Sequence, residues 1–135
     1  MGNNTSIIKK VNFEDLQNSS NIILINTLSN SSEAQRCIIP NTIPCSEEES
    51  IINKMLNTNV NQTIVIYGLN TNDISVYKKY SQLVELGFSS VYVYPGGMFE
   101  WLLLQDIYGD EQFKTTTKDL DILKFRPKSD FKKSY

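Results

Sequence analysis

A chain of 135 residues that is 40% apolar and 21% charged suits one domain with a single core, burying roughly two thirds of the surface its unfolded form exposes. A net charge of −2 argues against general nucleic-acid binding. The absence of histidine removes the commonest general base, the usual relay of a catalytic triad and the usual zinc ligand together.

The chain starts Met1-Gly2-Asn3-Asn4-Thr5-Ser6, which fits the pattern for N-myristoylation of Gly2, with Lys9 and Lys10 close behind. One myristoyl chain anchors only marginally. Lys9, Lys10 and the tail bases Lys124, Arg126, Lys128, Lys132 and Lys133 are a second attraction toward an anionic membrane surface. Taken alone, those bases read more plainly as solvated charge. No apolar leader precedes the domain and no run nears the ~20 residues needed to cross a bilayer. With only Cys37 and Cys45 as thiols, a reducing compartment is expected, cytoplasmic or virion-associated. The sequons at Asn18 and Asn30 then read as chance in a chain with 14 asparagines. The excess of Asn, Ile and Lys beside one alanine, Ala34, hints at an AT-rich genome, as in large DNA viruses and some protists.

The run IILIN predicts a buried strand over 22–26. A helix is expected over 46–56, capped by Ser46 and started by glutamates that suit a helix N-terminus. A second strand over 63–68 leads to a helix over 74–86 that closes at Gly87. A third strand begins VYVYPGG at 91–97, and a helix over 98–108 closes at Gly109. Alternation of this kind predicts βαβ units, hence an α/β fold with a mainly parallel central sheet flanked by helices on both faces. The expected organisation is a flexible segment 1–9, a domain 10–110 and a basic extension 111–135, the last carrying seven of the 13 basic residues, partly packed and frayed at its end.

The most informative stretch is Tyr67-Gly68-Leu69-Asn70-Thr71-Asn72-Asp73, a buried strand turning through six residues into a helix N-terminus, a geometry whose backbone N–H groups converge on an anion. Downstream come Leu86-Gly87-Phe88 and Val91-Tyr92-Val93-Tyr94-Pro95-Gly96-Gly97-Met98-Phe99-Glu100-Trp101. With Leu24-Ile25-Asn26-Thr27 and Ile39-Pro40-Asn41-Thr42-Ile43 upstream, the chain from 10 to 108 resembles the rhodanese family. It is also similar to divergent rhodanese-like proteins of giant DNA viruses. The Gly-Gly-x-x-x-Trp segment and its distance from the loop carry most of the likeness.

The resemblance implies a sulfurtransferase fold whose loop cysteine forms a persulfide. Here that position matches Gly68, which has no side chain and forms no covalent intermediate. The sixth loop position matches Asp73, whose carboxylate can cap the helix starting at Ile74 and would repel an incoming anion. The plainer reading of Asp73 is the cap alone. The loop also lacks the thiolate and arginine of a related phosphatase. Asn70, Thr71 and Asn72 could bond a neutral ligand or a peptide, but as turn formers they more simply shape the loop.

Cys37 and Cys45 read as packing residues, with Cys45 the better nucleophile of the two because a helix begins beside it. Their spacing suits no zinc site, and no metal or cofactor is expected. Trp101 and the leucines after it read as helix core, and Tyr67, Tyr77, Tyr80, Tyr92 and Tyr94 as buried or half-buried positions, with no stacking platform for nucleic acid. The expectation is a catalytically inactive rhodanese-like module, Gly68 to Asp73 its candidate ligand loop, that binds an unidentified protein partner and is lipid-tethered at Gly2. The alternatives are a sulfurtransferase or thiol enzyme using Cys37 or Cys45, and a structural virion or membrane-associated protein acting as a homo-oligomer.

Overall fold

The structure is a computed structural model and describes residues 7–131. Gly2, Lys132 and Lys133 lie outside the described residues. Four strands, β1 (Ile22–Asn26), β2 (Thr42–Ile43), β3 (Thr63–Tyr67) and β4 (Val91–Tyr94), form one parallel sheet in the order β2-β1-β3-β4. Helices α1 (Phe13–Asn18), α2 (Glu48–Thr58), α3 (Ser75–Leu86) and α4 (Gly97–Tyr108) flank it.

Strand side chains alternate across the sheet, as pleating requires. Ile25, Ile64, Ile66, Val91 and Val93 face a core completed by Ile52 and Met55 of α2 and Val76, Tyr80 and Leu83 of α3. Leu24, Val65, Tyr67 and Tyr94 face the other core, with Met98, Trp101 and Leu102 of α4 and, from the C-terminal extension, Phe113 and Phe125. The expected α/β sandwich with helices on both faces is therefore present, and the central strands are apolar on both sides because both are covered.

Two elements escaped the sequence reading. The first is α1, opened by a capping box in which the Asn12 side chain accepts from Asp15 N–H and the Asp15 carboxylate accepts from Asn12 N–H. The second is β2, two residues long and preceded by Asn41 in the left-handed region at φ 70°. The helix expected from Ser46 begins two residues later. A 3-10 turn, Cys45–Glu47, follows Pro44, and α2 starts at Glu48 with no side-chain cap, so Ser46 does not cap it. Strands β3 and β4 stop at Tyr67 and Tyr94, before the loop and the Pro95-Gly96 turn.

The open edge of β4 is covered by the segment before α1: Val93 N–H donates to the Lys9 carbonyl and Val11 N–H donates to that of Val93, both at 2.9 Å. At the far side, the buried Tyr67 hydroxyl accepts from Ile39 N–H at 3.2 Å and lies 2.8 Å from the Thr42 hydroxyl. That phenol, pushed well above its usual pKa by burial, stays neutral and ties the segment leading into β2 to β3. Tyr67→Phe leaves the Ile39 N–H without its partner. The expected loss is about 1–3 kcal/mol of stability, read from the midpoint of urea unfolding.

Candidate functional site

The turn after β3 sits where ligands bind in open parallel sheets, beyond the carboxyl ends of strands that diverge in opposite directions. Here those strands are β1 and β3. The structure brings Gly68, Leu69, Asn70, Thr71, Asn72 and Asp73 together in one loop ahead of α3, with Gly68 and Asn70 buried and Leu69, Thr71 and Asn72 exposed.

Three sets of bonds fix its shape. The first turn of α4 holds the loop from below: Met98 N–H donates to the Gly68 carbonyl and Phe99 N–H to that of Leu69, both at 2.9 Å. Gly97 makes this approach feasible. Its φ is +66°, and a Cβ there would lie 2.7 Å from the Gly68 carbonyl oxygen and 2.9 Å from Asn70 N. Inside the loop, the Asn70 side chain accepts from Asn72 N–H at 2.9 Å, and its amide donates to the Phe125 carbonyl at 2.9 Å. Asp73 supplies the third set. One carboxylate oxygen accepts from Leu69 N–H at 2.9 Å, and the other accepts from Ser75 N–H at 3.1 Å and from the Ser75 hydroxyl at 2.5 Å. The Ser75 hydroxyl is in turn 2.8 Å from that of Thr27 at the end of β1.

Asp73 is therefore not the N-cap expected of it: the cap residue is Ile74, with no side-chain cap bond, and Asp73 stands one residue before it. The helix begins at Ser75, not at Ile74, and the carboxylate bridges the helix start to the first N–H after Gly68. The loop N–H expected to face an external anion faces the chain's own. A Cβ built on Gly68 would collide with Asp73 Oδ2 and fall 2.7 Å from both Thr27 Oγ1 and Val76 Cγ2. The space for any side chain at position 68 is already filled.

Neither thiol joins the loop's hydrogen-bond set. Cys45, beside a cavity of about 420 Å³ whose lining includes Thr27, Glu48, Ser75 and Lys79, donates weakly to the Asn26 side-chain oxygen at 3.5 Å. Burial and then the Glu48 carboxylate raise its pKa above the usual thiol value, and the Lys79 ammonium, ion-paired with Glu48, only partly opposes this. Cys37 is buried, donates to the Thr117 carbonyl at 3.2 Å, and is likewise raised by burial. Both thiols are poorer nucleophiles than a free one. Among the described residues no group of three or more Cys, Asp or Glu stands ready to hold a metal ion.

The aromatic expectations hold, with one refinement. Tyr67, Tyr80, Tyr94, Trp101 and Leu102 are buried, Tyr77, Tyr92 and Leu104 half-buried, and Leu103 exposed. The Trp101 indole N–H donates to the Lys114 carbonyl at 2.9 Å, and its ring meets those of Tyr94 and Phe113 edge to face. The extension that the sequence left as partly packed thus follows the body through residue 125. Thr116 N–H donates to the Ile38 carbonyl, the Gln105 amide donates to the Phe113 carbonyl, and the 3-10 turn Ile122–Phe125 sets Phe125 over the loop. Partial packing of the extension was expected from its apolar residues Leu120, Ile122, Leu123 and Phe125; Phe113, which stands alone among polar residues, and the placement of Phe125 over the loop were not legible because they depend on tertiary contacts.

A family model for the rhodanese-like domain matches residues 10–104, and the chain belongs to that family. Two solved structures share its fold: the Alr3790 protein of Anabaena sp., 16% identical with 83% of each chain covered and a TM-score of 0.56, and the BH2092 protein of Bacillus halodurans, 17% identical with 87% of this chain and 90% of that one covered and a TM-score of 0.55. No curated protein matches the sequence.

Gly68→Ala is expected to destabilise the protein by about 1–3 kcal/mol through overpacking. Asp73→Ala in the same chain recovers part of that loss, because the two side chains compete for one space. Urea denaturation of the two single variants and the double variant forms the cycle. Additive losses would mean that the collision with Asp73 contributes nothing.

Proposed function

We propose that this rhodanese-like chain is catalytically silent and acts by binding a protein partner. The observation that carries the reading is the Asp73 carboxylate lying against Gly68 and accepting from Leu69 N–H. Sulfur transfer through a loop thiolate needs a nucleophile at that position and free N–H groups to stabilise the charge it carries. Gly68 offers no nucleophile, and the fixed negative charge of Asp73 opposes entry of thiosulfate or phosphate. What remains at the loop mouth is a surface of hydroxyl, amide and apolar groups, Thr71, Asn72 and Leu69, of the kind that contacts peptides.

The purified protein is expected to show no thiosulfate:cyanide sulfurtransferase activity above a protein-free control. Turnover that disappears in Cys45→Ala would overturn the reading and establish the second one, a thiol enzyme. That second reading has one observation in its favour, the placement of Cys45 beside the cavity at the strand ends. Against it stands the raised thiol pKa: the thiol stays protonated at neutral pH, and its thiolate gains population only as pH climbs beyond the usual thiol range. Alkylation of Cys45 by iodoacetamide at neutral pH is accordingly expected to run slower than that of an unstructured thiol.

We propose further that a lipid on Gly2 brings the module to a membrane surface. Among the described residues no helix is long and apolar enough to cross one. Co-expression with a eukaryotic myristoyltransferase is expected to add one myristoyl group to the intact mass, and Gly2→Ala to abolish the gain. An unmodified wild-type mass would remove the tether.

A further inference from the structure

The extension divides in two at Thr116. Up to that point it is stitched to the body by the Phe113 side chain, the Lys114 carbonyl and the Thr116 backbone. From Thr117 onward it holds its own shape. Asp119 accepts from Asp121 N–H at 3.0 Å and pairs with Lys124 at 2.5 Å, Lys124 N–H donates to the Asp121 carbonyl, and both the backbone and the guanidinium of Arg126 donate to the Leu123 carbonyl. From Thr117 onward its ties to the body are the bond from the Cys37 thiol to the Thr117 carbonyl, the bond from the Thr117 hydroxyl to the Arg36 carbonyl, the packing of the half-buried Ile122 and the buried Phe125 ring on the core beneath α4, and the bond from the Asn70 amide to the Phe125 carbonyl. Leu120, Leu123 and Phe131 are exposed at 84%, 60% and 80%.

Beside Phe125 lies an incompletely filled cavity of about 230 Å³, lined by Ser31, Glu33, Ala34, Cys37 and Leu69 on the body side and by Asp119 and Lys124 on the segment side, so that its wall is part apolar and part charged. The socket opens on the ligand loop through Leu69, and the one bond the loop gives the segment comes from Asn70. A segment that carries its own internal bonds and docks through two apolar side chains, Ile122 and Phe125, beside a cavity resembles a bound ligand, and local opening of such a unit needs less free energy than global unfolding.

We propose that residues 117–131 are a latch bound in cis at the mouth of loop 68–73, covering a socket that takes a short partner peptide bearing an aromatic side chain three residues after an aliphatic one. The latch itself shows that chemistry in Ile122 and Phe125, the two side chains it packs on the body. Tethering gives the latch a high effective concentration, so a partner binds only by displacing it. The inference rests on the binding-module reading above and names how that site is regulated.

Cys37, buried at 5% and lying beneath Thr117 and beside the socket, reports the latch. In the full chain carrying Cys45→Ala, labelling of Cys37 by an aromatic disulfide reagent is expected to accelerate at least tenfold on Phe125→Ala, with the urea unfolding midpoint displaced too little to account for it. A synthetic peptide of residues 117–131 is expected to restore protection to that variant and the same peptide with Phe125→Ala to fail. The intact chain should bind the peptide at least tenfold more weakly than the variant. Labelling that accelerates only in proportion to global unfolding, a peptide that gives no protection, or equal binding to both proteins would each overturn the latch. Should Phe125→Ala not fold, the wild type decides. A labelling rate independent of low urea concentrations supports local opening, and one that tracks global unfolding overturns it. Sulfurtransferase turnover would remove the binding-module reading without altering the labelling result, so the two failures are distinguishable.

Discussion

The two bonds from the first turn of α4 to the carbonyls of Gly68 and Leu69 fix everything else about the loop. They require the backbone of α4 to approach that of the loop closely, and only a residue without Cβ at position 97, in the left-handed region, permits it. With the carbonyls of Gly68 and Leu69 turned down onto α4, the loop's N–H groups find acceptors inside the loop: Leu69 N–H donates to the Asp73 carboxylate, Asn72 N–H to the Asn70 side chain and Asp73 N–H to the Asn70 carbonyl.

Much of this architecture was legible in the sequence because its signals are periodic or chemically specific. Strands buried on both faces read as unbroken β-branched runs, and β1 and β3 fall where the runs IILIN and TIVIY lie. Gly87 marks the end of α3 in the left-handed conformation a helix end favours. Elements that depend on tertiary contacts were not legible. With only two residues, β2 carries no period, and its place is set by Tyr67 reaching across to Thr42 and Ile39. Ser46 carried a cap signal in a sequence where Pro44 directs a 3-10 turn first, so local geometry overrode propensity. In the candidate loop, the sequence supplied the residues and the sign of the charge at Asp73, but not that one carboxylate bridges Leu69 and Ser75, because loop closure brings those groups together.

The C-terminal extension changes what kind of surface the loop presents. The match to the rhodanese-like domain ends at residue 104, yet Phe113 and Phe125 both enter the core cluster under α4. The two phenylalanines sit in different company. Phe113 packs edge to face against Trp101 and at a tilt against Phe13, and has its carbonyl bonded to Gln105, so its removal would open the core itself. Phe125 lies at the border of a cavity, with the cation of Lys124 5.3 Å from its ring and the Asn70 amide on its carbonyl.

That asymmetry reaches the loop through Asn70. Asn70 is shared: its oxygen shapes the loop through Asn72, and its amide nitrogen holds the extension through Phe125. Any movement of the extension therefore leaves a buried amide to find another acceptor, and a partner presenting a carbonyl at the same place would satisfy it. Asp73 plays the same double part on the other side of the loop, one oxygen on Leu69 N–H and the other on the start of α3, so that the loop is tied to the extension through Asn70 and to the helix through Asp73.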